Sequence, residues 1–280
     1  MLELKSSLAQ QSMVDISTQY PVMIIGGAED KVNTCDILTA FFKSAGGENA
    51  TIGIIPTASR EPAIVGDRYY QIFQGMGAQQ VQVLDIRYRE ECDEERWVEI
   101  IQSCSGIFIT GGDQLRLRDV IGETLLINAI KAKLKAGGLA LAGTSAGAAI
   151  MGEKMIAGGS SGESPNQSLV DLTQGLGIVP ELLVDQHFHN RNRMARLLSA
   201  IAAHPEKLGI GIDEDTCIAL TSSGTFQVLG KGTITIIDPG SLTHTNHAET
   251  TETSPLSLHN LKVHVLHQGD RYDYKNRAIL

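Results

Sequence analysis

Short apolar runs rich in Ile, Val and Leu recur through the first half of the chain, at Val22–Gly27, Thr51–Pro56, Gln80–Ile86, Gly106–Gly111 and Leu139–Gly143. Between them lie longer stretches, Val32–Ala45, Gly66–Met76, Asp93–Ser103 and Gln114–Lys135, where apolar positions return every three or four residues. The compact runs predict buried strands and the periodic stretches predict amphipathic helices. Their alternation predicts an α/β fold, a mostly parallel sheet flanked by helices. Leu182–His187 predicts one more strand. From Leu208 onward, turns at Ser222-Ser223-Gly224, Gly230-Lys231-Gly232 and Gln268-Gly269-Asp270 separate short strands, which predicts antiparallel hairpins at the sheet edge. The tract from Asp238 to Pro255, rich in Thr, His and Asn, predicts a loop. No repeat or linker divides the pattern, so residues 21–280 are expected to form one domain behind a polar tail, residues 1–20.

Chemistry concentrates first at Gly143-Thr144-Ser145-Ala146-Gly147. A strand ends at Gly143 and a helix is expected from Ala146, which makes Gly-x-Ser-x-Gly the pattern of a nucleophile elbow. A serine raised on so sharp a turn needs small neighbours, and the two glycines supply that room. The following helix would point its positive end at developing charge. The Ala146 amide, with those of Gly111-Gly112 at the end of the fourth strand, could form an oxyanion hole. Gln114 would face the same crevice.

Such a serine needs a base, and the base an orienting acid. Of eight histidines, five (His244, His247, His259, His264, His267) fall in the polar C-terminal tract, and His204 precedes Pro205 as a helix-end residue. The sixth strand ends in Asp185-Gln186-His187-Phe188-His189-Asn190-Arg191, and the carboxyl ends of strands are where open α/β sheets bind ligands. His187 is therefore the expected base, and His189 a helix-start residue. Two acids compete for the third place. Glu163, in the Gly/Ser-rich segment Ala157–Pro165, is preferred, and Glu214, in Gly211-Ile212-Asp213-Glu214-Asp215, is its rival. Arg191, Arg193 and Arg196 open an amphipathic helix carrying Met194, Leu197, Leu198 and Ile201. Cations at a helix start oppose its dipole. They are either a solvated face or a fork set for a carboxylate-bearing substrate.

The acidic balance, a formal charge of -9 with no basic tail, argues against nucleic-acid binding. Four cysteines without metal or redox spacing (Cys35, Cys92, Cys104, Cys217) are expected to be thiols of a cytoplasmic protein. The first twenty residues lack the apolar core of a signal peptide, and no apolar run reaches membrane-spanning length. No ligand spacing completes a metal site around His187 and His189. Gly26-Gly27 lacks the third glycine of a dinucleotide fingerprint, and Glu29-Asp30 would set negative charge against a phosphate, so no cofactor is expected.

Six segments carry a resemblance: Ile24–Lys31, Gly53–Arg60, Thr110–Arg116, Leu141–Gly147, Ile156–Glu163 and Val184–Arg196. In combination they resemble the cyanophycinases, serine peptidases related to the aspartyl dipeptidases of the peptidase E type. More distantly, in fold, they are similar to the flavodoxin-like class I glutamine amidotransferases. The resemblance implies hydrolysis of cyanophycin, a poly-aspartate with arginine on each β-carboxyl, to β-aspartyl-arginine dipeptides. It implies Ser145 as nucleophile, His187 as base and Glu163 as orienting acid. It also places Gln114, Asp185, Gln186, Arg191, Arg193 and Arg196 along the substrate pocket, and a homodimer is the expected assembly. A glutamine amidotransferase would carry cysteine at the elbow, and Ser145 speaks against that activity.

Overall fold

The computed structural model describes residues 20–162 and 164–280. The expected polar tail thus lies almost wholly outside the described residues. The first half alternates as predicted: β1 (Val22–Ile25), α1 (Asp36–Ser44), β2 (Thr51–Ile55), α2 (Pro62–Gly75), β3 (Gln80–Val83), α3 (Glu95–Ser103) and β4 (Gly106–Ile109). Then come α4 (Gln114–Ile121), α5 (Leu125–Lys135), β5 (Ala140–Thr144) and α6 (Ala146–Ala149). The strands β1, β4 and β5 are buried at every position, as parallel strands covered on both faces must be.

Two helices depart from the sequence pattern for local reasons. The helix expected from Val32 begins only at Asp36, because the Asp30 carboxylate accepts the amides of Val32, Asn33 and Thr34 and holds them in a turn. The stretch expected as one helix from Gln114 to Lys135 is two. Glu123 adopts φ 60 between them, and the Thr124 hydroxyl caps α5 by accepting the Ile127 amide. Side-chain caps of this kind satisfy the amides that a helix start leaves open.

The second half contains β6 (Lys154–Gly159), β7 (Val170–Gln174), β8 (Leu182–Gln186), α7 (Met194–Ala203), β9 (Leu208–Ile212), β10 (Thr216–Leu220), β11 (Thr225–Gly230) and β12 (Ile234–Asp238). Short strands β13 (His244–Thr245), β14 (Leu258–His259), β15 (Lys262–Leu266), β16 (Arg271–Asp273) and β17 (Ala278–Ile279) follow. The tract expected as a loop therefore contains β13, which pairs with β14 just beyond it.

The larger sheet has nine strands in the order β17-β16-β11-β10-β1-β5-β4-β2-β3. Its right half, β1 to β3, is parallel, and β10, β11, β16 and β17 extend it antiparallel beyond β1. A second sheet runs β15-β12-β9-β8, with β8 parallel to β9. One face of the larger sheet packs an aromatic cluster, Phe41, Tyr69, Phe73 and Phe108, under α1 and α2. The other packs Ile107, Ile109, Ile101 and Ile130 under α3 and α5. Because β1 pairs with β5 and not with β2, the loop leaving β1 emerges beside the elbow.

Candidate active site

The elbow forms as its spacing predicts, and sterics say why. Ser145 sits at φ 53 and ψ −106, a conformation that costs a side-chain-bearing residue roughly 1–3 kcal/mol and persists only where the surroundings enforce it. A Cβ on Gly143 would stand 2.3 Å from the Gly147 carbonyl oxygen, and one on Gly147 would stand 2.5 Å from that of Ile109. Any other residue at either place would push the turn open. The helix behind it is shorter than expected: α6 is a single turn of four residues, too short to gather a macrodipole of consequence. Electrostatic help at the elbow must come from individual amides.

The backbone at Gly111 and Gly112 runs beside the elbow. Gly112 holds φ 147 with its Cα pressed on Ala58, where an added Cβ would lie 2.1 Å from the carbonyl oxygen. Neighbouring Gly111 approaches the Ser145 side chain, its built Cβ 3.1 Å from the serine Cβ. Among the described residues no acceptor takes the Gly112 amide.

His187 follows β8 directly, at φ 48, with its amide donating to the Gly26 carbonyl at 2.9 Å. Its Nε2 lies 3.0 Å from Ser145 Oγ, and its Nδ1 lies 2.7 Å from Glu214 Oε1. With the proton on Nδ1 donated to Glu214, Nε2 is left to accept the serine proton. Burial pushes the imidazole below its ordinary value of 6.5. The nearby Arg191 and Arg193 charges push it the same way, against the opposing Glu214 carboxylate.

The geometry favours Glu214 over Glu163 as the partner of His187. The one N–H at Nδ1 is taken by Glu214, the rival acid, while Glu163 lies outside the described residues. Glu214 is held in turn through its amide, which donates to Asn190 Oδ1 at 3.1 Å. The signal was in the register. Gln186 pairs with Ile212 across β8 and β9, so the residues just past the two strands meet. His189 goes elsewhere: its amide and Nδ1 both reach Asp213, at 2.9 and 3.0 Å.

Arg193 and Arg196 are not a solvated helix face. Asp185, 1 % exposed, accepts Arg196 Nε at 2.8 Å and a second bond from its Nη2, while Arg193 Nη1 approaches the same carboxylate at 3.3 Å. Arg196 is 3 % exposed and Arg193 is also buried. Burial and the neighbouring cations pull the Arg193 guanidinium down to about 10, still charged at neutral pH. Asp185 and Arg196 thus saturate one another, Arg193 Nη1 also donates to the Gln186 carbonyl, and of the three arginines Arg191 is the exposed one. Gln186 Oε1 and Arg193 Nε are buried without a hydrogen-bond partner among the described residues. Buried groups of that kind carry a desolvation penalty until something pairs with them. Gln114 does not turn its amide nitrogen to the crevice, because Nε2 donates to the Ala157 carbonyl at 2.7 Å and ties α4 to β6.

Removing the central carboxylate should be costly. Asp185→Ala would strand two buried guanidinium groups, and loss of one partner from a buried ion pair typically costs about 3–5 kcal/mol. Urea unfolding should show the midpoint falling accordingly; an unchanged midpoint would mean that the cluster contributes nothing to stability.

Residues 22–228 match peptidase family S51. The chain is 56% identical over 264 residues to a cyanophycinase of Nostoc sp. (strain PCC 7120), covering 94% of this chain and 89% of that one. It is 56% identical to a cyanophycinase of Geminocystis herdmanii (strain PCC 6308), covering 91% and 93%. A cyanophycinase of Synechococcus elongatus is 51% identical, covering 92% and 80%. Among solved structures, a peptidase from an acI-B1 Actinobacterium superposes with a TM-score of 0.66 at 20% identity, covering 90% of this chain and 96% of that one. At that identity the likeness speaks for the fold alone.

Proposed function

The chain belongs to peptidase family S51, and on that footing we propose that it is a serine exopeptidase cleaving cyanophycin to β-aspartyl-arginine dipeptides. The observation that carries the reading is the relay Ser145–His187–Glu214, closed at 3.0 and 2.7 Å at the mouth of the parallel strands. In this reading His187 Nε2 takes the proton as Ser145 Oγ attacks the backbone carbonyl of the polymer. The amides of Gly112 and Ala146 donate to the oxyanion. His187, positively charged for that interval and steadied by Glu214, then gives its proton to the leaving amine. Water activated by the same imidazole opens the acyl-enzyme and restores Ser145.

The pocket chemistry supports this substrate. Cyanophycin offers guanidinium and carboxylate groups together, so its carboxylates can pair a donor such as the exposed Arg191. A plain peptide without that partner forgoes the contact. Purified protein is expected to release β-aspartyl-arginine from cyanophycin, identified by mass spectrometry, and to act poorly on α-linked aspartyl peptides. Arg191→Lys keeps the charge but loses the planar fork, so catalytic efficiency on the polymer should fall about tenfold, the worth of one charge-assisted contact. A native preference for the short peptides would make the protein a dipeptidase instead.

A cytoplasmic homodimer belongs to the same proposal. The cysteines are free thiols, as a reducing compartment favours. Val263 and Val265 are exposed side by side on the edge strand β15 and offer an apolar face to a second copy. A monomer mass in light scattering at working concentration would remove the dimer from the proposal.

A further inference from the structure

The loop that leaves β1, Gly26 to Thr34, takes no part in the chemistry above, yet it touches His187 and the chain neighbours of Ser145 and Glu214. The Ser145 amide donates to the Ile25 carbonyl at 3.0 Å, immediately before the loop. Gly26 accepts the His187 amide at 2.9 Å, and Gly27, at φ 99, lies flat beneath the imidazole, where a Cβ would stand 2.5 Å from Cε1. On the Glu214 side, the Asp215 amide donates to the Gly27 carbonyl at 2.9 Å, and Asp215 Oδ1 accepts the Asp30 amide at 2.8 Å.

One side chain in the loop is buried under the elbow. Glu29 is 2 % exposed. Its Oε2 accepts the hydroxyl of Thr144, the residue before the nucleophile, at 2.6 Å. Its Oε1 accepts the Tyr69 hydroxyl and pairs with Lys31 Nζ at 3.0 Å. The Lys31 ammonium also stands 5.4 Å from the centre of the Tyr69 ring. A carboxylate is an expensive group to bury, and an apolar side chain would fill the same space without that cost. Glu29, with donors converging on both of its oxygens, instead grips the strand end from which the strained Ser145 turns. Strained conformations at functional sites survive only when such contacts over-determine them.

We propose that Glu29, acting through the Thr144 hydroxyl, is the positioning residue that holds Ser145 at its attacking angle to His187. The inference rests on Ser145 being the nucleophile. Glu29 touches neither substrate nor the reacting atoms; it sets where Oγ stands. Misplacement of a reacting atom by a fraction of an ångström to an ångström costs turnover, not affinity, because the substrate is bound by other groups.

The test compares Glu29→Gln, Thr144→Val and Thr144→Ser with native protein on cyanophycin. Active sites are counted by a fluorophosphonate probe, so that kcat is expressed per competent serine and misfolded protein drops out. Glu29→Gln and Thr144→Val should lower kcat per site about tenfold or more with KM within about twofold, and slow phosphonylation in parallel. Thr144→Ser keeps the donor and should stay near native. The double variant Glu29→Gln with Thr144→Val should be no worse than the poorer single one, as for two residues acting through one bond. A fall of less than about fivefold in kcat per site, or a change confined to KM, overturns the inference. If Glu29→Gln does not fold, the contrast between valine and serine at position 144 decides alone. Ser145→Ala runs alongside: if it is inactive while the other variants turn over like native, this inference alone fails. Were Ser145→Ala itself active, the nucleophile assignment would fail.

Discussion

Replacement of Ser145 by alanine is expected to lower turnover of cyanophycin by roughly 10⁵-fold or more, the scale on which a serine hydrolase loses its nucleophile. The hydroxyl has one hydrogen-bond partner among the described residues, His187 Nε2, so its removal should not disturb the fold. The turn itself is made by Gly143, Gly147 and the Glu29–Thr144 contact, all of which remain. Circular-dichroism melting should therefore give a near-native Tm, and the variant should still bind polymer. Residual catalysis over water would come from the Gly112 and Ala146 amides and from substrate positioning. If the alanine variant digests polymer within about tenfold of the native rate, Ser145 is not the nucleophile and the acyl-enzyme route is wrong.

Glu214→Gln should be the next most damaging change, lowering kcat roughly 10³- to 10⁴-fold. The amide is nearly isosteric, but it carries no charge to steady the imidazolium and can offer an N–H to Nδ1, which selects the wrong tautomer. Glu163→Gln should cost far less. A crippled Glu163 variant beside a near-native Glu214 variant would return the orienting role to Glu163. The pH profile supplies a second reading of the same pair. The base must be neutral to work, and burial together with Arg191 and Arg193 lowers the His187 pKa. Activity is therefore retained as pH falls through 6.5, and the acid limb of kcat/KM should lie below that value. Glu214 raises the same pKa, so Glu214→Gln should shift the limb further down. Removal of the Arg191 charge should shift it up. A native limb above 6.5 would contradict this account of the site.

What could be read from the chain alone was whatever sterics and periodicity fix locally. Apolar runs too short for helices mark β1 to β5, and Gly143 and Gly147 mark an elbow because no larger residue fits beside the turn. His187 was legible as the polar residue at the end of an apolar strand. The choice of acid was not, because it depends on where β9 lies beside β8. Glu163 is nearer to Ser145 in the chain, but the parallel register of the two strands delivers Glu214 to Nδ1. The fate of Arg196 was hidden for the same reason. A charge on a helix usually seeks water, and only the packing of α7 against β8 and β9 brings it to Asp185 in the interior. Nothing local sets Glu29 apart from any loop acid; the pairing of β1 with β5 is what brings it to Thr144. Contacts between distant parts of the chain are set by how sheets and helices stack. That stacking is a property of the whole core, so no single stretch of sequence records it.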